Sequence, residues 1–222
     1  MKVGVLFSGG KDSCYAAYLA EKSGKELACL INIVSENKES YMFHTPSVER
    51  VKEQAKVMDI DLIVVKSKGV KEKELEDLEK AIVEGVEKHG IEGIVTGAVM
   101  SVYQAERIQK ICDKLGLECF NPLWKRNQID ILNELIREKF EVIIVGVFAY
   151  PLGQEWLGRK IDEKFIEEVI ELERKYGIAP SGEGGAFASF VLNCPLFSNE
   201  LKVEGFEDFG SKNSWRRDLE LE

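Results

Sequence analysis

The chain has almost no histidine: His44 and His89 are the only two in 222 residues. That excludes a histidine-rich metal centre, and a Ser-His-Asp triad would have to use one of the two. Cysteine is also sparse. Cys14, Cys29, Cys112, Cys119 and Cys194 form an odd set with no C-x-x-C spacing. They read as buried or free thiols of a reducing compartment, neither a disulfide framework nor a zinc site. No apolar run approaches the roughly 18–20 residues that a membrane span needs. The opening segment, Met1 to Phe7, is a short apolar run that meets the glycine turn Ser8-Gly9-Gly10 rather than a signal-peptide cleavage site. The expected location is cytoplasmic. Positive charge is in deficit: 30 Lys and Arg against 39 Asp and Glu leave a net charge of −9. Phosphates would be repelled over most of such a surface, which disfavours a nucleic-acid partner and leaves only a local basic groove open. Internal repeats, low-complexity segments and long linkers are absent as well.

What is present is enough for a core. Hydrophobic residues make up 45% of the chain and aromatics 9%, which rules out a disordered polymer. The length fits one large domain, or a medium domain with a small one. Charged residues reach 31%, mostly Lys and Glu, a composition that points weakly to a thermophilic source. The first half alternates short β-rich runs with amphipathic stretches. Strands are predicted over 2–7, 27–34, 62–65, 94–96 and 118–120, and helices over 12–22, 47–58, 72–88 and 104–115. This rhythm predicts an α/β fold, a parallel sheet with helices on both faces. Near Pro122 the pattern changes. Helices over 128–139 and 162–176, a β-branched strand over 141–147, and β-like stretches at 187–192, 201–203 and 215–221 predict a smaller α+β portion. The expected domains are therefore 1–121 and 122–222. The C-terminal stretch around Trp215 reads equally as an edge strand or a contact site.

Five segments carry the polar residues that chemistry needs. The first is Ser8-Gly9-Gly10-Lys11-Asp12-Ser13, after strand one and opening helix one. Two glycines allow close approach of the backbone, and successive N–H groups at a helix N-terminus make an anion cradle. Ser8 and Ser13 add hydroxyls and Lys11 a positive charge, whereas Asp12 suits Mg²⁺ or a helix cap. The spacing is neither a Walker A loop nor G-x-G-x-x-G. The second segment runs from Val34 through Glu36, Tyr41 and His44 to Thr45, leaving strand two at the end where open parallel sheets take ligands. The third, Thr96-Gly97 through Ser101, Tyr103, Gln104 and Arg107, leaves strand four in the same way. Arg107 lies one turn beyond Tyr103 on one helix face and suits bidentate phosphate contact. The fourth holds Trp156 and Arg159 and fits a substrate pocket or ordinary loop packing. The fifth is Gly182-Glu183-Gly184-Gly185-Ala186-Phe187-Ala188-Ser189, where glycines permit a tight approach to a strand.

The first hexapeptide resembles the pyrophosphate loop of the N-type ATP pyrophosphatases. Taken together, the five segments resemble the archaeal diphthine–ammonia ligase family over most of the chain, from strand one to Pro195. The most specific stretches are S-E-N-x-E-S-Y-M-x-H-T, G-A-x-x-S-x-Y-Q-x-x-R-I and E-G-G. The resemblance implies an adenine-nucleotide α-hydrolase (Rossmann-like) fold and an ATP-dependent amide ligase. In that reaction the diphthine carboxylate of translation elongation factor two is adenylated, pyrophosphate leaves, and ammonium yields diphthamide and AMP. It further implies that Ser8, Gly9, Gly10 and Ser13 hold the pyrophosphate, that Lys11 and Arg107 neutralise its charge, and that Asp12 holds Mg²⁺. Ile33 would frame adenine, while Gly97, Ser101, Tyr103 and Gln104 line the nucleotide. Glu183, Gly184 and Gly185 would face the acceptor and ammonium, joined by Glu36, Tyr41, His44, Trp156 and Arg159. Lys11, Asp12, Arg107 and Glu183 are the implied catalytic set.

One stretch departs from the family pattern, which reads E-G-G-E-[FY]-E-[TS] with an Asp beyond it. Ala186 and Ala188 stand in place of two glutamates, and Asn193 in place of the Asp. The alternatives are a degenerate AMP- or ATP-binding relative, an amide ligase for another small acid in cobalamin-related salvage, or a tRNA-modifying enzyme. The acidic charge disfavours the last. The sequence leaves the oligomeric state open, a homodimer included.

Overall fold

A computed structural model describes residues 1–35, 50–68 and 73–222. The described chain divides into two compact units. The first takes its residues from Met1–Ser8, Asp12–His44 and Met58–Trp124, and the second from Gly9–Lys11, Thr45–Val57 and Lys125–Glu222.

The first unit is built on a five-stranded parallel sheet in the order β3-β2-β1-β4-β5. Its strands are β1 (Lys2–Leu6), β2 (Glu26–Ser35), β3 (Leu62–Ser67), β4 (Gly93–Val95) and β5 (Glu118–Phe120). The central strand β1 buries Val3 and Val5 completely, as a parallel strand covered on both faces must. In chain order helices α1 (Lys11–Lys22), α2 (Val51–Met58), α3 (Lys73–His89) and α4 (Val102–Leu115) follow the first four strands, with α2 belonging to the second unit up to Val57. Leu78, Ala81 and Ile82 of α3 and Ile108, Ile111 and Cys112 of α4 join Cys29, Ile31, Ile33, Ile63 and Ile94 of the sheet in one apolar cluster. Spacings of three and four put those helical residues on one stripe. The strand order reverses between β1 and β4, and ligands of such sheets bind beyond the strand ends at that reversal.

The second unit carries an antiparallel sheet in the order β7-β6-β9-β8. Its strands are β6 (Glu141–Val147), β7 (Phe187–Asn193), β8 (Val203–Ser211) and β9 (Ser214–Leu221). Helices α5 (Gln128–Arg137) and α6 (Glu163–Tyr176) accompany them. Asn127 caps α5 by accepting from the amides of Ile129 (2.9 Å) and Asp130 (3.1 Å), and Asp162 caps α6 through Phe165 N (2.8 Å). The two faces of β7 do different work. Phe190, Leu192 and Ala188 pack with Ile143, Val145, Leu201 and Leu219, whereas Phe187 stacks edge-on against Phe165 of α6 at 5.7 Å.

The C-terminus corrects the sequence reading. β9 is no edge strand; it lies between β6 and β8. The edge on that side is β8, expected only as a short stretch at 201–203 but running from Val203 to Ser211. Glu204, Gly205, Glu207, Asp208 and Gly210 are poor strand formers, so the local signal is a loop. Pairing with β9 through the two-residue turn Lys212-Asn213 overrides it. Asp208 and Arg217 face each other in that register and form a two-pronged ion pair at 2.7 and 2.9 Å.

Candidate active site

In the first unit, β1 ends where Asn32 Nδ2 donates to Phe7 O at 2.7 Å, fixing the exit of the strand. Ser13, in the first turn of α1, bridges back to Ser8: its Oγ accepts from Ser8 N at 3.3 Å and lies 3.2 Å from Ser8 Oγ. Asp12 and Ser13 thus open the helix directly beneath the strand end. Gly97 belongs to the same place. A Cβ there would stand 2.7 Å from Asp12 C and O and 2.9 Å from Ser13 N. The turn after β4 therefore presses on the first turn of α1, and only glycine fits. Asn121, oriented so that its amide nitrogen faces acceptors, donates to Thr96 O (3.0 Å) and Ala98 O (2.9 Å) and braces this turn from β5. Sequence reasoning missed Asn121, and nothing local marks it.

Ser101 caps α4, its Oγ accepting from Gln104 N at 3.4 Å. Tyr103 and Arg107 meet as their spacing predicts, the guanidinium carbon 3.4 Å from the ring centroid. Ile33 lies on β2 opposite Val65 of β3, two residues past the last β1 register position at Ile31. Its backbone is therefore beyond the β1 ladder. Glu36, Tyr41 and His44 lie outside the described residues.

In the second unit, Gly9, Gly10 and Lys11 sit against β7. Gly9 adopts φ +77°, and its carbonyl accepts from Val191 N (3.1 Å) and from Gln54 Nε2 (3.0 Å). Lys11 N donates to Ser189 Oγ at 3.2 Å. Hence the amides of Ser8 and Lys11 in the hexapeptide are taken up internally. The Lys11 side chain is buried, its Nζ 5.8 Å from the Phe187 ring centroid.

The Gly182–Gly185 turn precedes β7. Gly182, Gly184 and Gly185 all have φ between 77° and 81°, and a Cβ at Gly182 would lie 2.9 Å from the Phe187 ring. Three left-handed residues in four explain the glycines. Ser181 anchors the turn through its N–H (3.1 Å) and hydroxyl (2.7 Å), both donated to Gln128 Oε1. Gly184 and Gly185 are exposed and Glu183 is half-buried. Ala186 is buried, and Ala188 faces the apolar cluster, away from the side where Phe187 and Ser189 meet Lys11. Trp156 is buried beneath Arg159, whose guanidinium stacks on it at 4.3 Å and pairs with Glu168 at 2.6 Å. That hydrogen bond and charge hold the Glu168 carboxyl below its usual range.

Two of the buried cysteines, Cys29 and Cys112, are held protonated. Burial pushes the Cys29 thiol up to about 12. The bond to Cys119 and burial raise Cys112 as well. Thiols held protonated attack poorly.

Comparison with known proteins settles the family. Residues 1–119 match the diphthamide synthase N-terminal domain and residues 127–219 the diphthamide synthase C-terminal domain. The chain belongs to the diphthamide synthase family. The protein named diphthine–ammonia ligase from Bos taurus is 34% identical over 226 residues, covering 93% of this chain and 84% of the relative. Its Homo sapiens counterpart is 33% identical over 229 residues with the same coverage. Among solved structures, a Methanocaldococcus jannaschii protein described as a tRNA methyltransferase subunit aligns with a TM-score of 0.44 at 19% identity, over 88% of this chain and 98% of that one. For a diphthamide synthase, the parallel sheet with helices and the separate antiparallel sheet are the α/β and α+β portions that the sequence predicted. Among the described residues, no helix is long and apolar enough to cross a membrane.

Proposed function

We propose that this chain is an ATP-dependent diphthine–ammonia ligase acting on a diphthine-bearing translation elongation factor two in the cytoplasm. The observation that carries the reading is identity of about one third to diphthine–ammonia ligases over 93% of the chain, with the Ser8–Ser13 loop at the β1 exit. Residues 1–121 take ATP and residues 122–222 serve the acceptor side.

The diphthine carboxylate oxygen attacks the α-phosphorus of ATP, and the bond to the β-phosphate oxygen breaks as pyrophosphate leaves. Ammonia then attacks the acyl carbon of the adenylate, loses a proton, and expels AMP as the amide forms. The substrate supplies the first nucleophile, so no side chain needs to act covalently. Gly9, Gly10, Ser8 and Ser13 hold the departing pyrophosphate, and Lys11 and Arg107 neutralise charge building on it. Tyr103 stacks on Arg107 and fixes its direction, while Gln104, Ser101 and Gly97 line the nucleotide and Ile33 frames adenine. Glu183 attracts ammonium and takes its proton, with Gly184 and Gly185 giving access to a bulky acceptor. Trp156 and Arg159 are assigned to the acceptor side, as are Glu36, Tyr41 and His44.

The donors fit Mg²⁺. Asp12 offers one carboxylate at the loop, and among the described residues no group of three or more His, Cys, Asp or Glu could cage a metal. Mg²⁺ is commonly held by one or two carboxylates, waters and phosphate oxygens. When bound, it would supply charge neutralisation at the phosphates.

The test is one incubation with ATP, Mg²⁺, ammonium and elongation factor carrying diphthine, following AMP, pyrophosphate and the intact mass of the factor. Conversion of acid to amide with both products is expected. Nucleotide binding without either product would favour the degenerate relative. Sedimentation velocity of the active species reads monomer or homodimer.

A further inference from the structure

Gln54 of α2 is fully buried, yet it is a polar residue outside every segment that carries the proposed chemistry. Its Nε2 makes two bonds at once, to Gly9 O at 3.0 Å and to Val191 O at 2.8 Å. Val191 N reaches the same Gly9 carbonyl at 3.1 Å. One carboxamide therefore ties the loop to the middle of β7 and closes a small ring of buried bonds. The other half of the amide fills the space behind Gly9, where a Cβ would collide with Gln54 Oε1 and lie 3.2 Å from Val51 Cγ2. Among the described residues Oε1 has no hydrogen-bond partner.

We infer that Gln54 is a positioning residue for ATP: it sets the direction of the Gly9–Gly10 peptide and so aims the loop at the departing pyrophosphate. The inference rests on the reading of Ser8–Ser13 as the phosphate loop. A trans peptide is planar, and its C=O and N–H point to opposite sides. Pinning the Gly9 carbonyl toward β7 with two donors therefore turns the Gly10 N–H away from β7. Lys11 N, held by Ser189 Oγ, fixes the next peptide. Glycine at positions 9 and 10 leaves these planes free to swing, since neither residue has a Cβ to restrain them. The restraint must come from outside the loop, and Gln54 and Ser189 supply it.

Gln54→Met keeps the volume and removes the unsatisfied Oε1, which offsets part of the cost of taking the donor from Val191 O, and the melting temperature reads what remains. The substitution should weaken ATP binding by roughly ten- to a hundredfold, the effect of one or two lost buried bonds at the loop. AMP, which lacks the departing pyrophosphate, should bind within about threefold of wild type, well below a tenfold change of one logarithmic unit. A merely structural loss would weaken both nucleotides alike. Gln54→Glu supplies a pH signature: its carboxylate would face two carbonyl oxygens, and protonation would restore one donor. ATP affinity of that variant should recover as pH falls, while Gln54→Met stays flat. Ser189→Ala should show a smaller ATP-selective loss. Leu132→Ala, a core change in α5, is the control for general destabilisation.

Calorimetric titration with ATP·Mg²⁺ and with AMP, alongside melting temperatures, reads all of these. Equal weakening of ATP and AMP in Gln54→Met, or an unchanged ATP affinity, overturns the inference. Lys11→Met separates the two readings. If Lys11→Met weakens ATP but Gln54→Met does not, only the positioning role falls. If neither variant touches ATP binding, the phosphate-loop reading falls, and this inference falls with it.

Discussion

Two glycine-bearing segments of the second unit are built in opposite ways. Gly9 is enclosed: its carbonyl takes two buried donors, and a side chain there would strike Gln54. Gly184 and Gly185 are open: they share the same left-handed φ, but no atom lies within 4 Å of a Cβ at either. The first arrangement suits a small ligand whose phosphates must be met by a fixed backbone. The second suits an acceptor that arrives on a macromolecule and needs room. The same residue type answers two demands, rigidity enforced from outside and access granted by the absence of a side chain.

Substitutions can break or sharpen this contrast. The largest effect is expected from Asp12→Ala, which should abolish pyrophosphate release; unchanged turnover would remove the loop from the mechanism. Gly9→Ala comes next. It combines a strained φ with a collision, and a loss of about 100-fold in AMP formation is expected from a loop shifted by an ångström. Gly184→Ala has the strain without the collision. It should cost roughly 1 kcal/mol of stability and leave AMP formation near wild type, with amidation reduced if the turn touches the acceptor. Equal losses from Gly9→Ala and Gly184→Ala would erase the contrast.

Smaller effects on catalysis are expected outside the two glycine segments. The pair Ala186→Glu and Ala188→Glu should lower the melting temperature, since both side chains enter apolar surroundings, while amidation per folded molecule should change by less than about threefold, under one kcal/mol of transition-state binding. A large gain in amide would instead support the degenerate relative. Outside both segments, Asp208→Asn should lower stability by roughly 2 kcal/mol. Its bond to Arg217, helped by Gln154, holds the Asp208 carboxyl below the ordinary range. A depressed carboxyl stabilises the fold above its unfolded value of about 4 and loses that contribution as pH falls through the depressed one. Acid melting curves of wild type should therefore fall more steeply than those of Asp208→Asn.

Much of this was legible in order. Lys2–Leu6 followed by two glycines, a charged helix start and the next β-rich run already reads as the first turn of a parallel sheet. Ser101 before a helical stripe marks the α4 cap, and Tyr103 and Arg107 meet because four residues are one turn. Other features were not legible. β8 has the composition of a loop, and only its partner β9 makes it a strand. Gln54 and Asn121 carry no motif, yet each braces a glycine turn of the proposed site.

The sequence by itself determined the alternation of elements, the family and the glycines at the turns. These depend on steric preference and periodicity within a few residues, which any stretch of chain expresses alone. Only the tertiary structure decided which amides of the loop are taken up internally, which strand lies at the sheet edge, and which face of β7 each alanine occupies. The loop is tied down by bonds spanning 45 and 178 residues, and the edge is set by the pairing of β6 and β8 with β9. Their partners have no local reason to be polar or small, and they gain one only when folding buries them together.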